Sequence, residues 1–376
     1  MADGLRRKIP PKNTGYIVVL ERNSMKVYFV GNRWDGCYYV RCLLPLQANG
    51  WDGYLRALGG ERDNAEQMVE KIMKSDIIVF QRPDQKDKTE MIRILRENGK
   101  KVVFDNDDTY KPDSGFPKLD IRENREMVNK VNEELYNNVR QADLVTTTTE
   151  TLAEEYRALN KNVVVLPNCI DPFDIPEPKR NEGKKVRIGL TGSVGYDDFK
   201  IILPYLKELS ERDDVQLVFF SLSLPEHTNP RVKELYQDSY DFVQSANIEW
   251  HTHCSMAEYF EKLNDLELDL MLIPRRETYF NKCKSNLKFL EAGALEIPVI
   301  ASSFPDKDSP YDKDLNGENG FLAKDEAEFR LYTEKLINDK ELRRKVGKNA
   351  REYVYENYNI EKFGKLWEMA YSTLIK

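Results

Sequence analysis

Short apolar segments rich in β-branched residues alternate with longer amphipathic segments along this chain, and this alternation limits its fold more than any other feature. It is typical of βα units that wind around a parallel sheet. A doubly wound α/β domain is therefore expected for the first half. Its predicted strands span residues 26–30, 76–81, 101–105, 143–147 and 162–166, and its predicted helices include 85–98 and 121–141.

A second series of βα units follows a stretch without regular periodicity. Residues 167–183 are rich in Pro, Asp and Glu, which indicates an interdomain linker. Single cores stop growing near ~250 to 300 residues, so a chain of 376 residues is expected to divide into two domains. Both are predicted to be Rossmann-like, with a ligand in the cleft between them. The predicted strands of the second half span 186–191, 216–221, 247–251, 268–274 and 298–302.

Charge and cysteine content exclude several classes of protein. A net charge of -7 disfavours a generic nucleic-acid coat, which carries a basic excess on one face. The five cysteines form no C-x-x-C pair and no zinc-site spacing with histidine, so we expect a reducing compartment and no bound metal. No run approaches the ~18 apolar residues of a membrane span, and residues 1–11 lack the apolar core of a signal peptide. The expected location is the cytoplasm, with at most peripheral contact with a membrane.

The stretch 284–302 carries the strongest sign of a binding site. Ser285 or Asn286 is predicted to cap a helix whose apolar face includes Leu287. The backbone N–H groups of these three residues then point out of the helix start, where a diphosphate gains from the helix dipole and from the charge of Lys284. The free N–H groups, the helix dipole and the lysine together predict an anion site at this helix start.

Glu291 lies about two turns into the predicted helix. From there its carboxylate is predicted to face the same cleft and to accept hydrogen bonds from a ribose diol. The alternative is a capped amphipathic helix with a solvated glutamate.

A glycine-bearing turn follows the first strand of the second half. Gly192 and Ser193 lie in this turn, which lets backbone approach a phosphate, and Lys200 is the nearest cation after it. The spacing of its glycines does not fit G-x-G-x-x-G, which disfavours a dinucleotide redox enzyme. The alternative is a tight turn with no ligand.

An acidic cluster, Asp105-Asn106-Asp107-Asp108, follows a predicted strand of the first half. The carboxyl end of a parallel strand faces the cleft, so three carboxylates are expected there. They are suited to binding a divalent cation, to orienting acceptor hydroxyls or to acting as a base. Acceptor orientation or electrostatic stabilisation is preferred, with Asp107 and Asp108 as candidate catalytic residues, and a capping cluster without catalytic function is the alternative.

The run 284–302, with Glu291 inside Phe289-Leu290-Glu291-Ala292-Gly293-Ala294, resembles the donor-site signature of retaining glycosyltransferases of the GT-B type, family 4 and its relatives. The resemblance implies that Glu291 binds the donor ribose and that residues before the helix contact the diphosphate. In the family's Glu-x7-Glu pattern, this sequence has Cys283 in place of the first glutamate. Asn281, Lys282 or a backbone amide is the expected substitute for its contact with the donor sugar.

The same resemblance extends to other segments of the chain. It implies that the turn at Gly192 and Ser193 contacts the diphosphate, with Lys200 as the available cation. It implies that a strand end contacts the nucleotide base, and the residues there are Trp250, His251 and Thr252.

In the first half, the loop 31–41 resembles the family's glycine-bearing loop over the donor phosphates and acceptor. Gly36 and Arg41 are its candidate functional residues. Pro167-Asn168-Cys169-Ile170-Asp171 resembles the Pro-Asn-Gly-Ile-Asp turn that ends the N-terminal domain. The implied division is an acceptor-side domain, 1–172, and a donor domain, 173–357, with a C-terminal helix, about 358–376, that packs back on the first domain.

These features predict transfer of a sugar from a UDP- or GDP-linked donor to an acceptor hydroxyl with retention of configuration. Lys284 is expected to stabilise the leaving diphosphate. No cofactor is required, and a divalent cation is not expected. The acceptor stays open among a saccharide, a lipid-linked glycan, a protein and a modified nucleic-acid base, and the oligomeric state is also open. A nucleotide-sugar epimerase, a glycan phosphorylase and a non-catalytic binding protein are the alternatives.

Overall fold

The computed structural model describes residues 25–31, 35–55, 61–83, 86–111, 113–115, 122–192, 198, 200–220 and 230–375. Within these ranges the chain forms two six-stranded sheets in which all neighbouring strands are parallel. Strands of the first half build one sheet, and strands of the second half build the other. The predicted α/β class with two Rossmann-like halves is confirmed.

The first sheet has the strand order β2-β1-β3-β4-β5-β6. Every residue of β1 and β3 is buried, as in parallel sheets that helices cover on both faces. The strand order reverses between β1 and β3, which places a topological switch point at their carboxyl ends. The strand bounds are β1 Val27–Val30, β2 Asp52–Gly53, β3 Ile77–Gln81, β4 Lys101–Asn106, β5 Leu144–Thr147 and β6 Val163–Val165.

Local sequence sets several helix ends in the first half. Asn64 and Gln67 form a capping box at the start of one helix, and Gly50 ends another in the left-handed conformation, with φ 67°. A buried π-helical turn, Tyr39–Leu43, joins the first two helices. The helix bounds are α1 Gly36–Tyr38, α2 Leu44–Asn49, α3 Ala65–Lys74, α4 Lys86–Glu97, α5 Arg122–Gln141 and α6 Glu150–Arg157.

The second sheet has the order β12-β11-β10-β7-β8-β9, with its switch point between β7 and β10. Its strands are β7 Val186–Thr191, β8 Val215–Phe220, β9 Ile248–His251, β10 Leu270–Ile273, β11 Val299–Ser302 and β12 Phe321–Ala323. Its helices are α7 Leu203–Ser210, α8 Pro230–Leu235, α9 Gln237–Ser245, α10 Tyr259–Asp265, α11 Tyr279–Cys283, α12 Leu287–Ala294, α13 Glu326–Asn338 and α14 Lys340–Asn357.

Two glycines allow α12 to pack closely against α14. A Cβ atom at Gly293 would lie 3.0 Å from a methyl group of Val354, and one at Gly347 would lie 2.0 Å from the backbone oxygen of Glu296. Helix α12 is therefore held against a long neighbour by direct backbone approach.

The chain ends with two short helices, α15 Ile360–Phe363 and α16 Lys365–Ser372, which pack on the first sheet and on α2. Trp367 is fully buried, and the Tyr371 ring stacks on Trp51 with centroids 5.4 Å apart. The side-chain amide of Asn49 donates to the backbone oxygen of Gly364. The largest apolar cluster consequently contains side chains from both halves of the chain.

The ten predicted strands are confirmed, with ends that differ by at most two residues. Strands β2 and β12 were not predicted, because edge strands of two and three residues leave no periodic signal. The segment predicted as the C-terminal helix forms two short helices on either side of Gly364. Helix α7 begins at Leu203, and Pro204 occupies its first turn. In the described part of the chain, no helix is long and apolar enough to cross a membrane.

Candidate functional site

The carboxyl ends of the two sheets contact each other across the interdomain cleft. The backbone N–H of Phe280, in the second half, donates to the backbone oxygen of Ser114 at 2.6 Å. A Cβ atom at Gly36 would lie 3.7 Å from the sulfur of Met256. The loops that follow both switch points therefore share one cleft, where ligands of open α/β sheets bind.

Helix α12 presents an uncapped amino end to this cleft. Asn286 is its N-cap residue, yet its side chain makes no capping bond and donates instead to Asp314 at 2.8 Å. The N–H groups of a helix's first turn have no intrahelical partner, and the helix dipole makes them attractive to an anion. Ser285 and Leu287 flank the cap, so the three residues whose N–H groups were predicted to bind a diphosphate lie together.

Glu291 lies on α12 and is only 7% exposed. The phenol of Tyr259 and the ammonium group of Lys288 both donate to its Oε2 atom, each at 2.8 Å. The solvated glutamate of the alternative interpretation is therefore wrong. A buried carboxylate needs such partners, because taking a charge out of water is costly.

Lys288 is a cation that the sequence analysis missed. Gly192 has a φ of 82°, and a Cβ atom there would lie 2.7 Å from the Cε atom of Lys288. The lysine thus crosses the glycine turn and reaches Glu291 three residues along its own helix. The i, i+3 spacing of a lysine and a glutamate behind the helix start was the available signal. Ser193 lies outside the described residues.

Lys284 connects the two halves of the cleft. Its ammonium group lies 2.5 Å from a carboxylate oxygen of Asp108 and 4.3 Å from the centre of the Phe280 ring. Arg82 approaches the same acidic cluster, at 2.6 Å from Asp107 and 3.3 Å from Asp108. The three residues predicted to be catalytic are therefore brought together.

The protonation of Asp107 limits its chemistry. Burial raises the pKa of this carboxyl group, but the charges of Arg82 and Lys284 and hydrogen bonds from Cys37 and Arg82 together outweigh burial and lower the pKa to about 2. Such a carboxylate is ionised at neutral pH and accepts a proton only weakly. The geometry favours an electrostatic role over that of a general base.

Asp105 and Arg41 do not face the cleft, which corrects the expectation for both residues. Each is fully buried, and the guanidinium group contacts both carboxylate oxygens of Asp105, at 2.7 and 3.2 Å. Asp105 also accepts from Thr146 at 2.7 Å. The side chain of Asp105 points inward from the end of β4, where a buried carboxylate is stable only beside a cation.

Arg41 also orients a residue of the interdomain turn. Its Nη1 atom donates to the backbone oxygen of Leu166 and to the side-chain oxygen of Asn168. The amide nitrogen of Asn168 is thereby directed to the hydroxyl of Ser285, at 2.9 Å. Because the Ser285 oxygen accepts this bond, its own proton is available to a ligand.

The predicted base-binding residues lie at and just after the end of β9, the edge strand of the second sheet. Trp250 packs edge-on against Phe219, with centroids 5.1 Å apart, in a cluster separate from the one that contains α10 and α12. His251 contacts Glu249 at 2.7 Å, and Thr252 is exposed. Lys200 lies over the Tyr236 ring, 5.2 Å from its centre.

Cys283 takes no part in the donor side of the cleft. It is buried among apolar residues of α5 and α6, and Thr149 donates to its backbone oxygen at 3.0 Å. Burial raises the pKa of its thiol to about 12, so it is not a thiolate nucleophile. Lys282 is paired with Glu277 and Asp308.

Asn281 occupies the interior of the site. Its amide nitrogen donates to Asp198 and to the backbone oxygen of Arg276, while its buried side-chain oxygen has no partner among the described residues. Arg275, a second cation missed by the sequence analysis, pairs with Asp198 at 3.0 Å. In the described ranges, no group of three or more His, Cys, Asp or Glu residues is arranged to hold a metal ion.

No family model matches the chain. The glycosyltransferase CapM of capsular polysaccharide biosynthesis in Staphylococcus aureus is 34% identical over 90 residues. That match spans 23% of this chain and 23% of CapM, so the likeness covers a minor part of either protein.

Solved structures resemble almost the whole chain. Sucrose-phosphate synthase of Thermosynechococcus elongatus has a TM-score of 0.62 and 15% identity, over 93% of this chain and 99% of that chain. HepE of Anabaena, solved with UDP-glucose, has a TM-score of 0.62 and 14% identity, over 93% and 100%. TarM has a TM-score of 0.54 and 14% identity, over 78% and 54%. These similarities show that the chain has the GT-B fold.

Proposed function

We propose that this protein is a glycosyltransferase that moves a sugar from a nucleoside diphosphate to an acceptor hydroxyl. The observation that carries the proposal is the combination, on one helix, of an uncapped amino end and the buried carboxylate of Glu291 beside the interdomain cleft. The fold shared with HepE, which was solved with UDP-glucose, and the partial likeness to CapM support it.

The donor ribose binds at Glu291 in this proposal. Tyr259 and Lys288 both donate to Oε2, so Oε1 is left to accept from a ribose hydroxyl. A hydrogen bond to a charged group stabilises by about 1.5–3 kcal/mol, which is sufficient to hold the nucleoside in one orientation. UDP is the first candidate nucleotide, and GDP is the second.

The diphosphate binds between the start of α12 and the turn at Gly192. The first-turn N–H groups and the hydroxyl of Ser285 donate to its oxygens, and Lys288 and Lys284 neutralise its charge. Lys284 also pairs with Asp108 of the first half. A diphosphate bound to Lys284 is therefore linked to both halves of the cleft.

Charge develops on the leaving diphosphate as the bond from the anomeric carbon to the phosphate oxygen breaks. Donors already in place around that oxygen stabilise the transition state more than the ground state. The acceptor hydroxyl attacks the anomeric carbon from the face that the phosphate leaves, which retains the configuration. The proton of this hydroxyl passes to the leaving phosphate. Asp107 and Asp108 orient the acceptor, since the low pKa of Asp107 makes it a weak base.

Titration calorimetry with UDP and GDP tests the donor site through Glu291→Gln. This variant removes the charge that receives the ribose hydroxyl, so affinity for the preferred nucleotide should fall at least tenfold, or about 1.4 kcal/mol. Glu296→Gln is the matched control, because Glu296 pairs with Arg180 and Arg351 beyond the other end of α12. Equal affinities for the wild type and Glu291→Gln would overturn the donor-site assignment.

The products separate the competing activities. Transfer that requires both a donor and an acceptor supports the proposal. Isomerisation of the donor sugar without an acceptor would show an epimerase, and dependence on inorganic phosphate would show a phosphorylase. Tight nucleotide binding with no turnover of the donor, and not even slow hydrolysis, would show a binding protein.

A further inference from the structure

A second cavity lies beside the donor cleft, where α5 and α6 of the first half meet α11 of the second. Its volume is about 390 Å³, within the roughly 300–1,000 Å³ range of ligand pockets. Tyr136, Glu154 and Glu155 come from the first half, together with Lys111 from the loop after β4, and Tyr279 comes from the second half.

Two half-buried tyrosines and a fixed carboxylate characterise this cavity. Tyr136 and Thr109 donate to different oxygens of Glu155, at 3.1 and 2.8 Å. Each oxygen keeps a lone pair for a ligand, because a carboxylate accepts about four hydrogen bonds. The ammonium group of Lys111 lies 4.8 Å from the centre of the Tyr279 ring. The walls therefore combine aromatic surface with oriented acceptors.

These side chains match the chemistry of a saccharide. The C–H face of a sugar ring carries partial positive charge and packs on the electron-rich face of an aromatic ring. Its hydroxyl groups donate to carboxylates. Two glutamates against one lysine repel a phosphate or carboxylate ligand. The cavity consequently differs from the basic donor site at Lys284 and Lys288.

Two residues that line the cavity are close along the chain to the Asp108–Lys284 pair. Lys111 follows Asp108 by three residues, so their Cα atoms are at most about 11 Å apart. Tyr279 and Lys284 are joined by helix α11, which advances only about 7.5 Å over its five residues. The Asp108–Lys284 pair therefore lies near this wall of the cavity.

We infer that this cavity binds the acceptor, and that the acceptor is a saccharide whose reacting hydroxyl lies at Asp108. The inference rests on the proposed glycosyltransferase function and names the substrate class of that site. Because Tyr279 belongs to the second half, the acceptor site is complete only while the domains are in contact. Acceptor and donor then bind in one closed arrangement.

The test compares the wild type with Glu154→Gln and Tyr279→Ala on an array of immobilised, structurally defined oligosaccharides. Glu154 is exposed, so its substitution leaves the core intact, and Glu133→Gln on neighbouring α5 is the matched control. Both cavity variants should bind the recognised oligosaccharides roughly tenfold more weakly, while Glu133→Gln binds as the wild type does.

Calorimetry with UDP and GDP on the same proteins separates the two proposals. Unchanged nucleotide affinity in the cavity variants, with an increased KM for the acceptor, supports the inference. Equal oligosaccharide binding by all variants overturns it, as does an absence of oligosaccharide binding by a wild type that binds nucleotide. Failure of the proposed function gives a different result, since the wild type would then bind neither nucleotide.

Discussion

At the scale of single residues, hydrogen-bond direction limits what each group in the cleft can do. Arg41 has only donors, so it fixes the orientation of the Asn168 amide, and the amide in turn makes the Ser285 oxygen an acceptor. Ser285 then has one proton to give, toward the start of α12. Asn168 is thus a positioning residue that acts on the nucleotide sugar only through Ser285.

Replacement of Asn168 by Ala should weaken UDP binding about fivefold, because Ser285 loses the bond that directs its proton and a hydrogen bond is worth about 1 kcal/mol. If Asn168 acts through Ser285, the double variant with Ser285→Ala should bind no more weakly than Ser285→Ala alone. Calorimetry of the four proteins measures this coupling. Additive losses in the double variant would contradict the positioning role.

At the scale of elements, the C-terminal helices support the first domain from outside its own sequence. Trp367 on α16 is fully buried, and the Arg41 guanidinium carbon lies 5.7 Å from the centre of its ring. Tyr371, one turn later, stacks on Trp51. This helix therefore packs beside the buried Arg41–Asp105 pair and stabilises it.

Trp367→Ala should reduce the free energy of unfolding by about 3–5 kcal/mol, because it leaves a large cavity in the core. Met369→Ala on the same helix is the control, since Met369 is 67% exposed and surface changes usually stay within about 0.5 kcal/mol. Urea denaturation followed by circular dichroism measures both. Equal losses in the two variants would argue against close packing of α16 on the first domain.

At the scale of the whole molecule, polar and apolar contacts hold the two halves together without a ligand. The ion pair of Lys284 with Asp108 crosses the cleft, and the Tyr39 and Phe260 rings approach to 6.4 Å between centroids. The Lys284 and Asp108 side chains retain 26% and 14% exposure, so water screens the pair only in part. Its loss should favour opening of the domains.

Small-angle X-ray scattering of Asp108→Asn without nucleotide should give a larger radius of gyration than the wild type, because Lys284 loses its partner across the cleft. Asp113→Asn is the control, since Asp113 is an exposed aspartate of the same loop. Addition of 1 M salt should expand the wild type toward the variant, because it shortens the Debye length to about 3 Å. Identical radii for the wild type and Asp108→Asn would contradict a role for the pair in closure.

Local sequence is sufficient to specify the repeating elements and the position at which α12 starts. Apolar periodicity and capping residues depend on neighbours a few positions away, so ten of the twelve strands, the position of this helix start and the turn at Gly192 were predictable. The predicted capping bond does not form, because Asn286 donates to Asp314 instead. Lys284, Ser285, Asn286 and Leu287 were placed correctly at that start for the same reason.

Which charged side chains pair with each other follows from the three-dimensional packing of the chain. Arg41 and Asp105 are 64 positions apart, and Lys284 and Asp108 are 176 apart. Such pairs depend on how two sheets pack against each other, and no local pattern encodes that packing. The same packing buries Cys283 in an apolar cluster of the first half and places Tyr279 and Tyr136 in the lining of one cavity. Burial strengthens the electrostatic effect of these groups. A buried charge without a partner is costly, and a well-placed opposite charge offsets that cost.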